Sequence, residues 1–116
     1  MKKLLTLSFF VVSALVLTST QVLKTQLQVT VLDNIGNIQS GAKVTLFESE
    51  EDYNNSKPAL PMQVVNKKGK TRFVGLKAID YFVYCEKGKK NNMFHGEKTG
   101  ELQKGRINKV NLIISE

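Results

Sequence analysis

Residues 69–85 read GKTRFVGLKAIDYFVYC, and this stretch decides the fold class. A polar turn at its start leads into a short strand around Phe73, and Gly75-Leu76 forms a corner. The segment from Asp80 to Cys85 follows as a strand that is apolar on both of its faces. Short strands separated by glycine-rich turns are typical of a small antiparallel β-sandwich.

The flanking segments extend this pattern in both directions. Apolar residues alternate with polar ones in three further segments: Leu27, Val29, Val31; Ala42, Val44, Leu46; and Val110, Leu112, Ile114. This period of two is the signature of a strand with one buried face. About seven short strands with regular turn signals predict an all-β, immunoglobulin-like antiparallel sandwich over residues 21–116.

The first twenty residues have the layout of a secretory signal peptide. Lys2 and Lys3 precede an uncharged apolar run over residues 4–17, and a small polar stretch ends at Thr20. The run is shorter than the roughly 20 residues of a membrane span. We therefore expect cleavage after Thr20 and export to the periplasm or the cell exterior, with an uncleaved N-terminal anchor as the alternative. Nothing later in the sequence predicts a transmembrane segment.

The domain that remains after cleavage would be basic and would contain a single cysteine. Loss of Lys2 and Lys3 with the leader lowers the net charge from +7 to about +5. Cys85 is the single cysteine, so no internal disulfide can form. Its strand phase predicts a small buried hydrophobic side chain, and an intermolecular disulfide or a reactive thiol is the alternative.

Two groups of residues carry a resemblance to a known family. They are Gly36, Gly41-Ala42, Val44 and Leu46 in the first hairpin, and Gly69, Phe73, Leu76, Tyr81 and Val83 later on. Both groups resemble carboxypeptidase-regulatory-like domains, which have a transthyretin-like or prealbumin-like sandwich. The resemblance implies a prealbumin-like fold and a non-catalytic accessory or interaction module of the bacterial cell envelope.

Residues suited to catalysis or metal binding are few. His95 is the only histidine, and it lies in a polar segment with Glu97 as its one acidic neighbour, so we predict an exposed loop residue and no enzyme. The acidic residues 48–52 lack the alternating spacing of a calcium loop, which favours a solvated loop over a weak calcium site. We expect no cofactor and no metal ligand.

Basic residues form three groups in turns and strands. They are Lys67, Lys68, Lys70 and Arg72; Lys87, Lys89 and Lys90; and Lys104, Arg106 and Lys109. Two interpretations are open: charged turns that keep an exported domain soluble, or a positive surface that attracts anionic envelope components. Because aromatic residues do not interleave with these bases, nucleic acid is not expected as a partner.

The best functional lead is the second face of the 80–86 strand. Phe82 and Tyr84 lie opposite the core phase, so either residues 48–61 fold over them or they form an exposed aromatic patch. We predict binding residues at Phe82, Tyr84, Phe94 and His95. The predicted function is interaction or structural support through a protein or glycan partner, self-association included. The alternative is a carbohydrate-binding domain that uses exposed aromatic rings.

Overall fold

The strands pair into two β-sheets, and these stack on each other. A computed structural model of the chain describes residues 23–116. Its elements are β1 (Gln26–Asp33), β2 (Lys43–Phe47), α1 (Glu50–Asn54), β3 (Gln63–Val64), β4 (Lys70–Val74), β5 (Asp80–Lys87), β6 (Lys90–Asn91), β7 (Lys98–Glu101) and β8 (Ile107–Ile114). The predicted signal peptide, residues 1–20, lies outside the described residues.

The first sheet has three strands in the order β4-β1-β8. β1 runs antiparallel to β4 and parallel to β8, with Gln26 opposite Ile107 and Asp33 opposite Ile114. The all-β sandwich is confirmed, but this parallel pair departs from the antiparallel pairing that we expected. Parallel neighbours need a long crossover, and here the chain between β1 and β8 supplies β4 and the whole second sheet.

The second sheet has the order β3-β2-β5-β6, and β7 also pairs with β5. Residues 88–100, whose composition is polar, thus contain two short edge strands. A two-residue bridge between Asn91 and Ser115 joins this sheet to the end of β8. The backbone N–H groups of both residues donate across the bridge at 3.0 Å.

The core lies between the two sheets and consists of the inward-facing residues of the strands. Its fully buried members are Leu27, Val29, Val31, Ala42, Val44, Leu46, Phe73, Val83, Cys85 and Ile114. Burial of one large aliphatic or aromatic side chain stabilises a fold by about 1.5–3 kcal/mol. The hydroxyl of Tyr81, also buried, accepts a hydrogen bond from the Lys77 backbone N–H at 2.9 Å, so its polar end is satisfied.

Cys85 is buried with a free thiol, as the strand phase predicts. Burial, with a smaller contribution from Glu86, raises the pKa of this thiol from 9.0 to about 12. A thiol that stays protonated is a poor nucleophile. Cys85 therefore acts as a small core residue.

The Cys85 thiol should make the fold sensitive to alkali. In the unfolded chain the thiol ionises above pH 9.0, whereas in the native state it keeps its proton up to about 12. Stability present below pH 9 is therefore lost as the pH rises through this range, by about 1.4 kcal/mol per pH unit. We expect Cys85→Ala to flatten the dependence of unfolding free energy on pH by that amount in urea titrations. Equal slopes for the two proteins would contradict the prediction.

Candidate functional site

The segment between β6 and β7 presents apolar side chains to solvent. Phe94 is 91% exposed and Met93 is 51% exposed, although both belong to residue types that are normally buried. The backbone N–H of His95 donates to the Asn92 carbonyl at 3.0 Å, which closes a tight turn around them. We call residues 92–97 the Phe94 loop.

A buried asparagine fixes the Phe94 loop to β5. The Asn92 side chain is fully buried, and its Oδ1 accepts a hydrogen bond from the Cys85 N–H at 2.8 Å. Its Nδ2 donates to the carbonyls of Val83 at 3.0 Å and Gly96 at 2.9 Å. The side chain thus pairs with β5 backbone groups between the stretches that β6 and β7 cover. The exposed Phe94 ring is therefore carried by a loop with a rigid base.

His95 lies on the same loop but faces a different neighbour. It is exposed, and its Nε2 lies 2.6 Å from the Ser115 hydroxyl at the end of β8. This contact adds a second attachment of the loop, this time to the strand of the other sheet. His95 thus holds the loop against β8, and its ring partner in the described chain is a serine and not an acid.

The outer face of the second sheet carries a cluster of four aromatic rings. Phe82 and Tyr84 are half-buried, since Tyr53 of α1 lies over them with ring centroids 6.1 and 6.4 Å away. The Phe47 ring contacts Tyr53 edge-on at 5.2 Å. Of the two alternatives for Phe82 and Tyr84, the structure shows residues 48–61 folded over them.

The helix that supplies Tyr53 is held by local contacts. The Ser49 hydroxyl caps α1 by accepting a hydrogen bond from the Asp52 N–H at 3.1 Å. Further along, the Ala59 N–H donates to the Leu46 carbonyl at 2.8 Å, so the segment returns to β2. Three acidic residues of the segment, Glu50, Glu51 and Asp52, occupy the first turn of α1, where carboxylates are favourable.

Two phenols of the aromatic cluster titrate above their usual range. Burial raises the pKa of Tyr53, and nearby Glu97 raises it further. Burial also raises the pKa of Tyr84, whose hydroxyl donates to Glu86 Oε2 at 3.2 Å. Both rings are therefore neutral near pH 7, and they offer aromatic surface without charge.

A shallow open groove lies between the aromatic cluster and the Phe94 loop. Its lining residues are Phe82, Met93, Phe94, Gly96, Glu97 and Lys98. The Lys98 ammonium lies 4.9 Å from the centre of the Phe82 ring, a cation–π contact. Of the four predicted binding residues, the structure brings Phe82 and Phe94 to one groove. Tyr84 belongs to the cluster under Tyr53, and His95 bonds to Ser115.

Two residues of this site were not predicted from the sequence. Tyr53 covers the strand aromatics from a helix of five residues, too short to show helical periodicity. Asn92 is one of two adjacent asparagines in the polar segment 88–100, and no local signal marks it as buried. The local signal that could have indicated a helical turn near Tyr53 is a serine, Ser49, directly before a run of acidic residues.

Metal-binding and membrane-spanning features were sought in the same part of the chain. Within residues 23–116, no three His, Cys, Asp or Glu side chains lie together in a way that could hold a metal ion. No helix of that segment has the length and apolar character required to cross a membrane.

Comparison with known proteins shows a similarity of fold. The chain is similar to the crystal structure of BcpA, the major pilin subunit of Bacillus cereus, with a TM-score of 0.53 and 16% sequence identity. The similarity covers 80% of this chain but 30% of the pilin, so the chain corresponds to less than one third of that protein. No protein-family model matches the sequence. No curated protein matches it either.

Proposed function

We propose that this domain is a non-catalytic structural module of the bacterial cell envelope that assembles with other copies of itself. The observation that carries the proposal is Phe94, an aromatic ring 91% exposed on a loop with a buried polar anchor. Rigid exposed aromatics bind at low entropic cost and are frequent hot spots of interfaces. Similarity in fold to a pilin subunit supports the proposal, because a pilin subunit is a structural protein that assembles.

The groove beside Phe94 makes a second copy of the domain a suitable partner. The projecting ring and the apolar groove lined by Phe82 and Met93 lie on one surface. A two-fold arrangement can therefore place the Phe94 ring of each copy in the groove of the other. Glu97 and Lys98, adjacent on the rim, would meet as opposite charges across such an axis.

Export belongs to the same proposal. It rests on the signal-peptide pattern of residues 1–20 and on the similarity of fold to a pilin subunit. The resemblance to carboxypeptidase-regulatory-like domains supports an envelope module of prealbumin-like type. Whether the domain works in the periplasm or at the cell surface does not alter the interface that we propose.

Self-association should depend on Phe94. We expect Phe94→Ala to raise the dimer dissociation constant at least about tenfold in sedimentation equilibrium, because hot-spot truncations cost about 2 kcal/mol or more. Ile35→Ala is the matched control, since Ile35 is 79% exposed in the β1–β2 loop and does not line the groove. Protein that stays monomeric at millimolar concentration, or equal effects of both variants, would contradict the proposal.

Carbohydrate binding is the second candidate function, and one observation favours it. Phe82 and Phe94 line the same open groove with polar neighbours Glu97 and Lys98, and aromatic rings offer stacking surface to sugars. A glycan array separates the two functions. Binding to a glycan that is lost in Phe94→Ala, together with a monomeric wild-type protein, would favour the carbohydrate site.

A further inference from the structure

The net charge of the domain lies on one of its two sheets. The strands and flanking turns of the β4-β1-β8 sheet carry eight basic residues: Lys24, Lys67, Lys68, Lys70, Arg72, Lys104, Arg106 and Lys109. The acidic residues among these elements are Asp33, at the end of β1, and Glu116, just after the end of β8. Seven bases and eight acids are nearly balanced in the second sheet and its connections. One side of the sandwich is therefore strongly positive.

The strand register places three of these bases together on the outer face of the first sheet. Arg72 of β4 and Lys109 of β8 both lie opposite Gln28 of β1, so they share a row across the sheet. Lys70 and Asn111 flank Thr30 in the next row. Rows are about 7 Å apart along a strand, and neighbouring strands are about 4.8 Å apart.

The basic side chains of this outer face are exposed to solvent. Lys70, Arg72 and Lys109 are exposed, and the one ion pair of the described chain, Lys77 with Glu48, lies elsewhere. Helix α1, which covers the other sheet, packs on β2 and β5 and leaves this face uncovered. The Arg72 guanidinium donates to Gln28 Oε1 at 3.1 Å, which orients it and leaves its other N–H groups free.

We propose that the outer face of the β4-β1-β8 sheet binds an extended anionic polymer with phosphodiester links, such as an envelope polymer. Arg, Lys, Thr, Gln and Asn are the side chains that contact phosphate groups along a nucleic-acid backbone, and this face offers all five types. An open cavity of about 230 Å³ on this face is lined by Gln28, Lys70 and Arg72, together with Asn66 and Thr71. Lys109 lies outside this cavity on the other side of β1, so the basic side chains extend beyond the site of a single headgroup and suit charges that repeat along a chain. The Phe94 groove lies on the opposite side, which makes this binding independent of self-association.

Labelled poly(glycerol phosphate) is the probe, and fluorescence anisotropy with protein made from the complete coding sequence is the measurement. We expect the double variant Arg72→Glu, Lys109→Glu to weaken binding at least about tenfold, and 200 mM salt to weaken wild-type binding relative to 50 mM. The matched control is Lys87→Glu, Lys89→Glu, which changes the net charge equally at exposed positions of β5 and of the turn between β5 and β6. It should alter binding less than about threefold.

Several results would overturn this assignment. They are absence of wild-type binding at 50 mM salt, equal losses in the two double variants, and equally tight binding of polyglutamate, which carries carboxylates in place of phosphates. If circular dichroism shows that the glutamate variant is unfolded, Arg72→Gln, Lys109→Gln replaces it. Loss of binding in that milder variant supports the proposal, and unchanged binding overturns it.

Discussion

Replacement of Asn92 by leucine is expected to lower the free energy of unfolding by about 4 kcal/mol. Leucine has the same branched shape and the same number of side-chain heavy atoms but no polar atoms, so the Cys85 N–H and the carbonyls of Val83 and Gly96 lose their partner. Each buried backbone group left without a hydrogen bond costs about 1–3 kcal/mol. Urea unfolding followed by circular dichroism measures the change.

A control for Asn92→Leu is Asn111→Leu, the same substitution at an exposed position of β8. Its effect should stay within about 0.5 kcal/mol, because no buried group loses a partner. A loss below 1 kcal/mol in Asn92→Leu would show that other groups or water satisfy the β5 backbone.

The role of Asn92 also connects the fold to the proposed interface. Since it anchors the Phe94 loop, Asn92→Leu should free the loop even under conditions in which the sandwich stays folded. Faster hydrogen exchange at residues 93–97 is the expected sign. Self-association should then weaken although Phe94 itself is unchanged, because a mobile ring loses more entropy on binding.

Alternation of apolar and polar residues was sufficient to predict β1, β2 and β8, and the apolar run over residues 80–85 predicted β5. Val29, Leu46, Val83 and Leu112 all lie in strands and in the core where the sequence places them. Alternation specifies which face is buried, but not which strand lies alongside. The parallel pairing of β1 with β8 therefore could not be read from the sequence. β6 and β7 were not predicted, because they are short and polar and have no alternating pattern. They form strands because they pair with β5.

For the candidate sites, too, the sequence predicts individual residues but not which residues lie side by side. Phe82 and Phe94 could be chosen as unusual aromatics, but their common groove depends on where β7 pairs with β5. The basic residues were grouped by sequence proximity, whereas the structure groups Arg72 with Lys109, which are far apart in the chain. Sites formed across strands require the register, and the register depends on long-range contacts.

Replacement of Tyr53 by alanine is expected to cost about 2–3 kcal/mol in the free energy of unfolding. The substitution removes the ring that covers Phe82 and Tyr84 and contacts Phe47, three aromatic contacts at 5.2 to 6.4 Å between ring centroids. Because the site is half-buried, the cost is lower than for a fully buried aromatic residue. Thermal and urea unfolding measure it, and increased binding of a hydrophobic dye would report the uncovered rings.

Tyr53→Phe separates the ring from its hydroxyl. It keeps all three aromatic contacts, so its stability should lie within about 0.5 kcal/mol of the wild type. Because burial raises the pKa of the Tyr53 phenol, the native state opposes its ionisation, and stability conferred below pH 10 is lost as the pH rises through the raised pKa. In Tyr53→Phe, the loss of stability at alkaline pH that comes from ionisation of the Tyr53 phenol should therefore be absent. If Tyr53→Ala and Tyr53→Phe were equally stable, the ring would contribute nothing, and residues 48–61 would not stabilise the aromatic face.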